Sequence, residues 1–207
     1  MHVFSHSNLL RSLSLVLISI SLLACKPAAD KSPATAQGPK TFATDITGAD
    51  FAQALSLTDH NGKATTLTDF KGKIVVLFFG YTHCPDVCPT TMSDLNLALK
   101  KIGDKASQVQ VLFVTLDPAR DTQTVLAKFV PSFNKSFIGL RGDEQQTADT
   151  AKNFKIFYSK QAETGKSDYV IDHSAGLYVF DKQGKIKLYI NYGQKPEEIA
   201  HDLTALL

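Results

Sequence analysis

Two cysteines four residues apart stand between an apolar run and a segment of helical periodicity, and this junction constrains the fold more than any other feature of the chain. The apolar run, Ile74–Phe79, has the length and residue types of a buried strand. Cys84 and Cys88 follow it, and Pro89 suits the first turn of a helix. The sequence therefore predicts both thiols close to a helix N-terminus, where the helix dipole favours thiolate over thiol.

The other periodic segments predict an α/β sheet. A second apolar run, Val109–Thr115, is typical of a parallel strand buried on both faces, and Asn61-Gly62 between two short segments predicts a β-hairpin. The later predicted elements are a helix from Thr122 to about Val130 capped by Asp121, a strand over Phe137–Leu140, a helix from Asp143 or Glu144 toward Phe154, a hairpin of Leu177–Phe180 with Ile186–Ile190, and a helix from about Pro196 to Leu206. This order predicts a thioredoxin-like mixed sheet flanked by helices, with an added N-terminal β-hairpin.

The N-terminal segment, residues 1–24, has the organisation of a lipoprotein-type signal peptide. A weakly basic start precedes the apolar run Leu13–Leu23, which is too short for a membrane-spanning helix and ends at Ala24-Cys25. The ending resembles a lipobox, in which Cys25 becomes the lipidated first residue. The alternative is an uncleaved anchor with an incidental cysteine. Both interpretations place the rest of the chain on the extracytoplasmic, periplasmic side and attach it to a membrane.

The mature chain is predicted to comprise a tether and one domain. Residues 25–41 are rich in Ala, Pro, Lys, Ser and Thr without periodicity, which is typical of a flexible linker, and residues 42–207 are predicted to form one thioredoxin-like domain. The net charge of +2 gives no reason to expect a nucleic-acid partner. With Cys25 assigned to lipid, Cys84 and Cys88 remain, and a bridge across so short a loop would stabilise little. We therefore expect this pair to serve chemistry.

Cys84 and Cys88 are suited to two kinds of chemistry. One helical turn of separation lies within the range that a disulfide tolerates, so they could form a redox-active pair. The same spacing lets both sulfurs reach one soft ion, and two thiolates with an imidazole suit Cu(I) better than zinc, for which the set is one ligand short. A peroxidase is disfavoured, because the mature sequence has no distant resolving cysteine.

His173 is the best candidate for the imidazole, because it lies in the loop before the terminal hairpin, which packs against the reactive cysteines in thioredoxin-like folds. In thioredoxin-type oxidoreductases a cis-proline in this loop seats the partner, but no proline lies between Pro131 and Pro196 here. Asp172 is a candidate acceptor that would orient the ring, and a core histidine without a ligand role is the alternative. The other histidines are less suitable. His2 and His6 lie in the signal peptide, and His60 lies at a turn expected to be solvated. His83 is next to Cys84, but neighbouring side chains at a strand end diverge, and His201 lies on the last helix.

Three motifs together resemble the SCO/SenC family: FGYTHCPDVCP at residues 79–89, LDPARDT at 116–122 and DHS at 172–174. The resemblance extends from about Phe51 to Leu207. It implies a thioredoxin-like fold that binds copper, as Cu(I) or Cu(II), through Cys84, Cys88 and His173. Asp117 and Asp172 match family positions near the site, and we assign them supporting roles.

The same resemblance implies service in assembling the dinuclear copper centre of cytochrome c oxidase. The favoured hypothesis is a metallochaperone, tethered to the membrane through its lipid anchor, that receives copper from an upstream donor and passes it to a copper-accepting oxidase subunit. The alternative is an enzyme, a thiol-disulfide reductase that keeps the copper-site cysteines of that subunit reduced and is itself recharged by a thiol reductant. Both hypotheses need Cys84 and Cys88, one protein could do both, and only the chaperone needs His173.

Overall fold

A computed structural model describes residues 41–52, 54–162 and 169–207 of the chain. The predicted signal peptide and Cys25 lie outside the described residues, as does the predicted tether apart from Thr41. Within the described residues, no helix combines the length and the apolar character that a membrane span requires.

The described ranges contain ten strands, four α-helices and two short 3-10 helices. The strands are β1 (Thr44–Asp45), β2 (Ser56–Asp59), β3 (Ala64–Thr66), β4 (Ile74–Gly80), β5 (Val109–Thr115), β6 (Ile138–Arg141), β7 (Tyr158–Ala162), β8 (Tyr169–His173), β9 (Leu177–Phe180) and β10 (Ile186–Ile190). The α-helices are α1 (Val87–Ile102), α2 (Gln123–Phe133), α3 (Glu144–Asn153) and α4 (Pro196–Thr204), and the 3-10 helices are Leu67–Phe70 and Gly103–Gln108.

The main sheet is mixed and has the strand order β1-β10-β9-β4-β5-β6-β2-β3. Its central strands β4, β5 and β6 are parallel, and each is followed by a helix. Strand β9 pairs antiparallel with β4, and the β2–β3 hairpin pairs with β6 through β2. The predicted thioredoxin-like mixed sheet with an added N-terminal hairpin is therefore confirmed. The carboxyl ends of β4 and β5 lie at one edge, where open α/β sheets place their sites.

Strand β4 is buried on both faces, which explains its unbroken apolar sequence. Because strand side chains alternate, the even-numbered residues from Ile74 to Phe78 pack with α1, α2 and α4, and the odd-numbered residues from Val75 to Phe79 pack on the α3 side. Met92, Leu95 and Leu99 of α1 are buried in the first of these clusters, as their helical spacing predicts. Each fully buried side chain of this kind contributes about 1.5–3 kcal/mol, which holds the two ends of the cysteine loop in place.

The start and the end of α2 differ from the prediction. Asp121 was predicted to cap this helix, but Thr122 is the N-cap residue, and its Oγ1 accepts a hydrogen bond from the Val125 amide (3.3 Å). The helix also continues to Phe133 instead of ending near Val130. Threonine is also among the preferred N-cap residues, and the Asp121 carboxylate bonds elsewhere, to Thr82 and Thr115.

Strands β7 and β8 form a separate two-stranded sheet, the β7–β8 ribbon, in which Tyr158 pairs with His173. The sequence analysis did not predict this ribbon. Its first strand, Tyr-Ser-Lys-Gln-Ala, is polar and largely exposed, so it lacks the alternation that marks a strand packed on a core. The ribbon nevertheless matters for the site, because β8 ends at His173.

Candidate metal centre

The loop between β4 and α1 carries both cysteines at different depths. Cys88 is the second residue of α1 and is fully buried, whereas Cys84 lies in the preceding loop and is partly exposed. Neither cysteine takes part in a disulfide in this structure. Gly80, the last residue of β4, allows this arrangement, because a Cβ atom there would lie 2.8 Å from the Cys88 Sγ. The local sequence thus places one sulfur beneath the surface and one at the rim.

The pKa values of the two cysteines are shifted in opposite directions because the two side chains interact with each other. A hydrogen bond from Cys88, together with backbone amides at the start of the helix, lowers the pKa of Cys84 from 9.0 to about 3. The amide nitrogen of Cys88 lies 3.4 Å from the Cys84 Sγ, at the helix N-terminus. The same thiol pair, together with burial, raises the pKa of Cys88 well above 9.0. At neutral pH the outer sulfur is therefore a thiolate and the inner one a thiol, whose proton a soft metal ion would displace.

His173 faces the inner cysteine with its lone pair. Its Nδ1 lies 2.9 Å from the Ser174 carbonyl oxygen, and its Nε2 lies 3.7 Å from the Cys88 Sγ. Because a carbonyl oxygen only accepts, Nδ1 carries the hydrogen and donates it, which leaves Nε2 unprotonated on the neutral ring. The rings of Phe78 and Tyr81 flank the imidazole at centroid distances of 6.4 and 6.0 Å. This tautomer and this orientation are those of a metal-ligating histidine.

Cys84 and His173 line one open cavity of about 300 Å³. An ion bound about 2.3 Å from sulfur and about 2.0 Å from nitrogen keeps those two atoms roughly 3.5–4 Å apart, and the Cys88–His173 separation of 3.7 Å fits this requirement. Within the described residues, no group of three His, Cys, Asp or Glu side chains is yet gathered in metal-binding geometry. The Cys88 Sγ and the His173 Nε2, two of the three predicted donors, thus already have the separation of ligands.

Asp172 does not orient the imidazole, so that part of the sequence hypothesis is wrong. Its side chain is exposed at the edge of the cavity, and the His173 Nδ1 bonds to the Ser174 carbonyl oxygen instead. Asp172 and His173 are neighbours on β8, and adjacent side chains of a strand point to opposite faces. A residue next to His173 in sequence is therefore badly placed to reach its ring.

Asp117 is fully buried and bonds to two residues that were not predicted to belong to the site. Its carboxylate pairs with the guanidinium of Arg120 and accepts a hydrogen bond from the Tyr169 hydroxyl (2.8 Å). The Arg120 guanidinium carbon lies 3.6 Å from the centroid of the Tyr169 ring. The motif at residues 116–122 contains Arg120, but no local pattern indicates that this side chain reaches a strand 49 residues further along the chain.

Asp121 fastens the start of the cysteine loop to the end of β5. Its buried carboxylate accepts hydrogen bonds from the Thr82 amide (2.9 Å), the Thr82 hydroxyl and the Thr115 hydroxyl (2.6 Å). A buried carboxylate is tolerated only when it is bonded in this way.

His83 is exposed and does not line the cavity. Its Nδ1 lies 3.8 Å from the Oδ1 of Asp121.

Two other candidate histidines have structural positions. His60 is half-buried, and its Nδ1 accepts a hydrogen bond from the Gly139 amide (2.8 Å), so the prediction of a solvated loop residue is wrong. The hairpin places His60 beside β6, which the turn sequence alone does not reveal. His201 lies on α4 next to Asp202, with 3.2 Å between Nδ1 and the carboxylate.

Comparisons with known proteins find similar chains in one family. A model of the SCO1/SenC family matches residues 43–207. The structure of Bradyrhizobium japonicum ScoI with copper bound is 38% identical, with a TM-score of 0.68, over 74% of this chain and 98% of that one. A SCO1/SenC family lipoprotein from Bacillus anthracis str. Ames is 25% identical, with a TM-score of 0.62, over 74% of this chain and 92% of that one.

The curated relatives include the mitochondrial SCO2 homolog of Bos taurus, which is 34% identical over 146 residues. The match covers 70% of this chain and 55% of the relative. The chain thus spans less than two thirds of the length of the mitochondrial relatives that it matches.

Proposed function

The chain belongs to the SCO1/SenC family, and on this premise we propose that it is a copper metallochaperone tethered to the extracytoplasmic face of a membrane. Cys84, Cys88 and His173 bind copper, and the protein delivers the ion to the dinuclear copper centre of cytochrome c oxidase. Its partners are the copper-accepting oxidase subunit and an upstream donor of copper. The copper bound to the similar Bradyrhizobium japonicum protein supports the choice of metal.

The observation that carries this proposal is the position of the His173 imidazole. Its Nε2 lies 3.7 Å from the Cys88 Sγ while its Nδ1 is occupied by the Ser174 carbonyl oxygen. Here the lone pair is directed at a sulfur, which is itself the preferred donor for a soft ion.

The unequal depths of the two sulfurs suit the release of an ion. Cys84 is partly exposed and lies at the open cavity, so a thiolate or imidazole of a partner can replace it first. Cys88 is buried and is the last protein ligand that a partner can reach. Stepwise exchange of this kind never leaves the copper ion without ligands.

The membrane anchor rests on Cys25. Lipidation of this cysteine would hold the chain durably at the membrane, and the residues that follow it would give the domain reach. The similarity to a Bacillus anthracis lipoprotein of the same family supports this assignment.

A thiol-disulfide reductase remains the second candidate, and the acidity of Cys84 favours it. A partly exposed thiolate with a pKa of about 3, paired with a buried thiol, has the arrangement of an attacking and a resolving cysteine. Against it, the described residues contain no cis peptide bond of the kind that seats a partner in thioredoxins, and a reductase has no need of His173. The chaperone is therefore the preferred function.

An anaerobic copper titration of the full chain in detergent, without a polyhistidine tag, tests the proposal. Reduced protein should bind one copper ion per chain, and protein with a Cys84–Cys88 disulfide should bind almost none, because oxidation removes both thiolate ligands. Native mass spectrometry gives the stoichiometry. Equal copper occupancy of the two forms would contradict the ligand assignment.

A further inference from the structure

We propose that Arg120 is a positioning residue that holds His173 at ligand distance from the cysteines by fixing the β7–β8 ribbon to the body of the domain. The inference rests on the proposed function in one respect, the role of His173 as a copper ligand. Its structural part concerns the protein without metal and can be tested separately.

The β7–β8 ribbon needs such a fixing residue because, among the described residues, it shares no hydrogen-bond ladder with the main sheet. Its two strands pair only with each other, and a two-stranded hairpin is marginally stable by itself in water. Its orientation relative to the cysteine loop therefore depends on side-chain contacts. Among these, Tyr158, Tyr169 and Ile171 pack against the core cluster that also contains Cys88.

Arg120 contacts three separate parts of the site at once. Its Nη1 donates to the Tyr169 carbonyl oxygen (2.9 Å), and its guanidinium plane lies over the Tyr169 ring. The Tyr81 ring, which belongs to the cysteine loop, lies 5.9 Å from the guanidinium carbon. Asp117, in the loop after β5, pairs with the Nε. Only a planar group with several fixed donors makes all these contacts together.

Asp117 keeps the guanidinium from moving. It is fully buried, its Oδ2 is taken by Arg120, and its Oδ1 accepts from the Tyr169 hydroxyl. The two oxygens of the carboxylate thus bind the side chains of Arg120 and Tyr169, which together with Asp117 we call the Arg120 clamp. Removing the arginine would leave a buried charge without compensation, which is strongly destabilising, so mild substitutions are the informative ones.

Strand β8 transmits this restraint to His173. Tyr169, Ile171 and His173 alternate with the two intervening residues, so they share one face of the strand. Tyr169 and His173 are about 13 Å apart along the strand at 3.3 Å per residue. A tilt of about 5° at the clamped end would move His173 by about 1 Å, which exceeds the tolerance of about 0.5 Å for a functional site. The Arg120 clamp therefore controls the distance between the His173 Nε2 and the two cysteine sulfurs.

The test compares the full chain in detergent as wild type, Arg120→Lys and Tyr169→Phe, with Arg141→Lys as a matched control. Arg120→Lys keeps the charge beside Asp117 without the planar fork, and Tyr169→Phe keeps the ring without the hydroxyl. Arg141 also bonds a backbone carbonyl near the site, that of Pro118 at 3.0 Å, but lies on β6 and not at the ribbon.

We expect Arg120→Lys to lower the Cu(II) affinity about 10- to 100-fold, the usual effect of losing a residue that supports a metal ligand, with a smaller loss for Tyr169→Phe. The Cu(I) affinity should change much less, because the two sulfurs carry it. In metal-free protein, the His173 ring resonances should shift and amide exchange should accelerate at residues 169–173 while that of β4 and β5 is unchanged.

Wild-type His173 resonances, amide exchange and Cu(II) affinity in Arg120→Lys would overturn the proposal. Faster amide exchange throughout the domain, with equal losses of Cu(I) and Cu(II), would also overturn it, since it would indicate a general stability effect. If wild-type protein binds no copper, the proposed function fails, yet the metal-free measurements still decide whether Arg120 positions His173.

Discussion

The Nε2 atom of His173 lies 3.7 Å from the Sγ atom of Cys88, although 85 residues separate them in the chain. Two parts of the fold bring them together. Helix α1, which carries Cys88, begins shortly after β4 ends, and the β7–β8 ribbon carries His173 to the same edge of the sheet. The contact is also directional, because the Ser174 carbonyl oxygen occupies the other ring nitrogen.

Alkylation of Cys84 should be almost independent of pH. A pKa lowered from 9.0 to about 3 means that the thiolate form is retained until the pH falls toward 3. The rate of iodoacetamide labelling of metal-free protein should therefore stay nearly constant from about pH 5 to about pH 8, whereas an ordinary thiol reacts about tenfold faster per pH unit in that range. Of the two cysteines in the domain, mass spectrometry should find the label on Cys84 only, because Cys88 is buried and its pKa is raised. A tenfold rise in rate per pH unit would show that Cys84 is an ordinary cysteine.

Gly80→Ala should destabilise the domain and damage the copper site together. The added methyl group would lie 2.8 Å from the Cys88 Sγ and 2.9 Å from the Phe113 ring, and both neighbours are fully buried. Overpacking of this kind lowers the free energy of unfolding by about 1–3 kcal/mol, which chemical denaturation measures. It also displaces the Cys88 sulfur, so the copper affinity should fall as well.

Gly72→Ala is the matched control for Gly80→Ala. Gly72 precedes the opposite end of β4, has φ +89°, and has no neighbouring atom within 4 Å of an added Cβ. It should lose about 1–2 kcal/mol of stability from left-handed backbone strain and keep its copper affinity. Normal copper binding by Gly80→Ala would show that the sulfur does not depend on the close approach to β4.

Cys25→Ala should remove the anchor without touching the metal site. The variant should appear in the soluble extracytoplasmic fraction or accumulate as unprocessed precursor, since a lipid chain can no longer be attached. Its copper affinity should equal that of wild type, because Cys25 is not among the predicted ligands. Cell fractionation followed by immunoblotting checks the first expectation. A variant that has the same size as wild type and sediments with membranes in the same way would contradict the lipobox assignment and support an uncleaved anchor instead.

The strand before the cysteines and the helix after them could be predicted from sequence because their patterns are strong. Ile74–Phe79 is continuously apolar and Met92, Leu95 and Leu99 recur at helical spacing, so both elements were recognised. The predicted metal set of Cys84, Cys88 and His173 depended additionally on a family resemblance, since nothing local connects His173 to the other two.

The supporting residues could not be predicted because their partners are distant or belong to the backbone. The Ser174 carbonyl oxygen orients His173, but every residue has a carbonyl oxygen, so the sequence does not indicate this contact. The predicted acceptor was Asp172, and that prediction was wrong. Arg120 and Tyr169 meet only after β5 and the β7–β8 ribbon have folded together. Asp121 has the sequence position of a helix cap, and only the structure shows that it holds the cysteine loop.

The Cu(II) affinity of His173→Ala decides whether the imidazole is a copper ligand, with His83→Ala as the matched control. His83 is exposed beside Cys84 and does not line the cavity. Loss of the imidazole ligand should weaken Cu(II) binding by more than about 100-fold, the upper end of what losing a mere supporting residue costs, and should alter the thiolate-to-copper absorption. Cu(I) should persist on two sulfurs, and His83→Ala should match wild type. A His173→Ala protein with wild-type Cu(II) affinity and spectrum would contradict the account and leave the reductase as the better function.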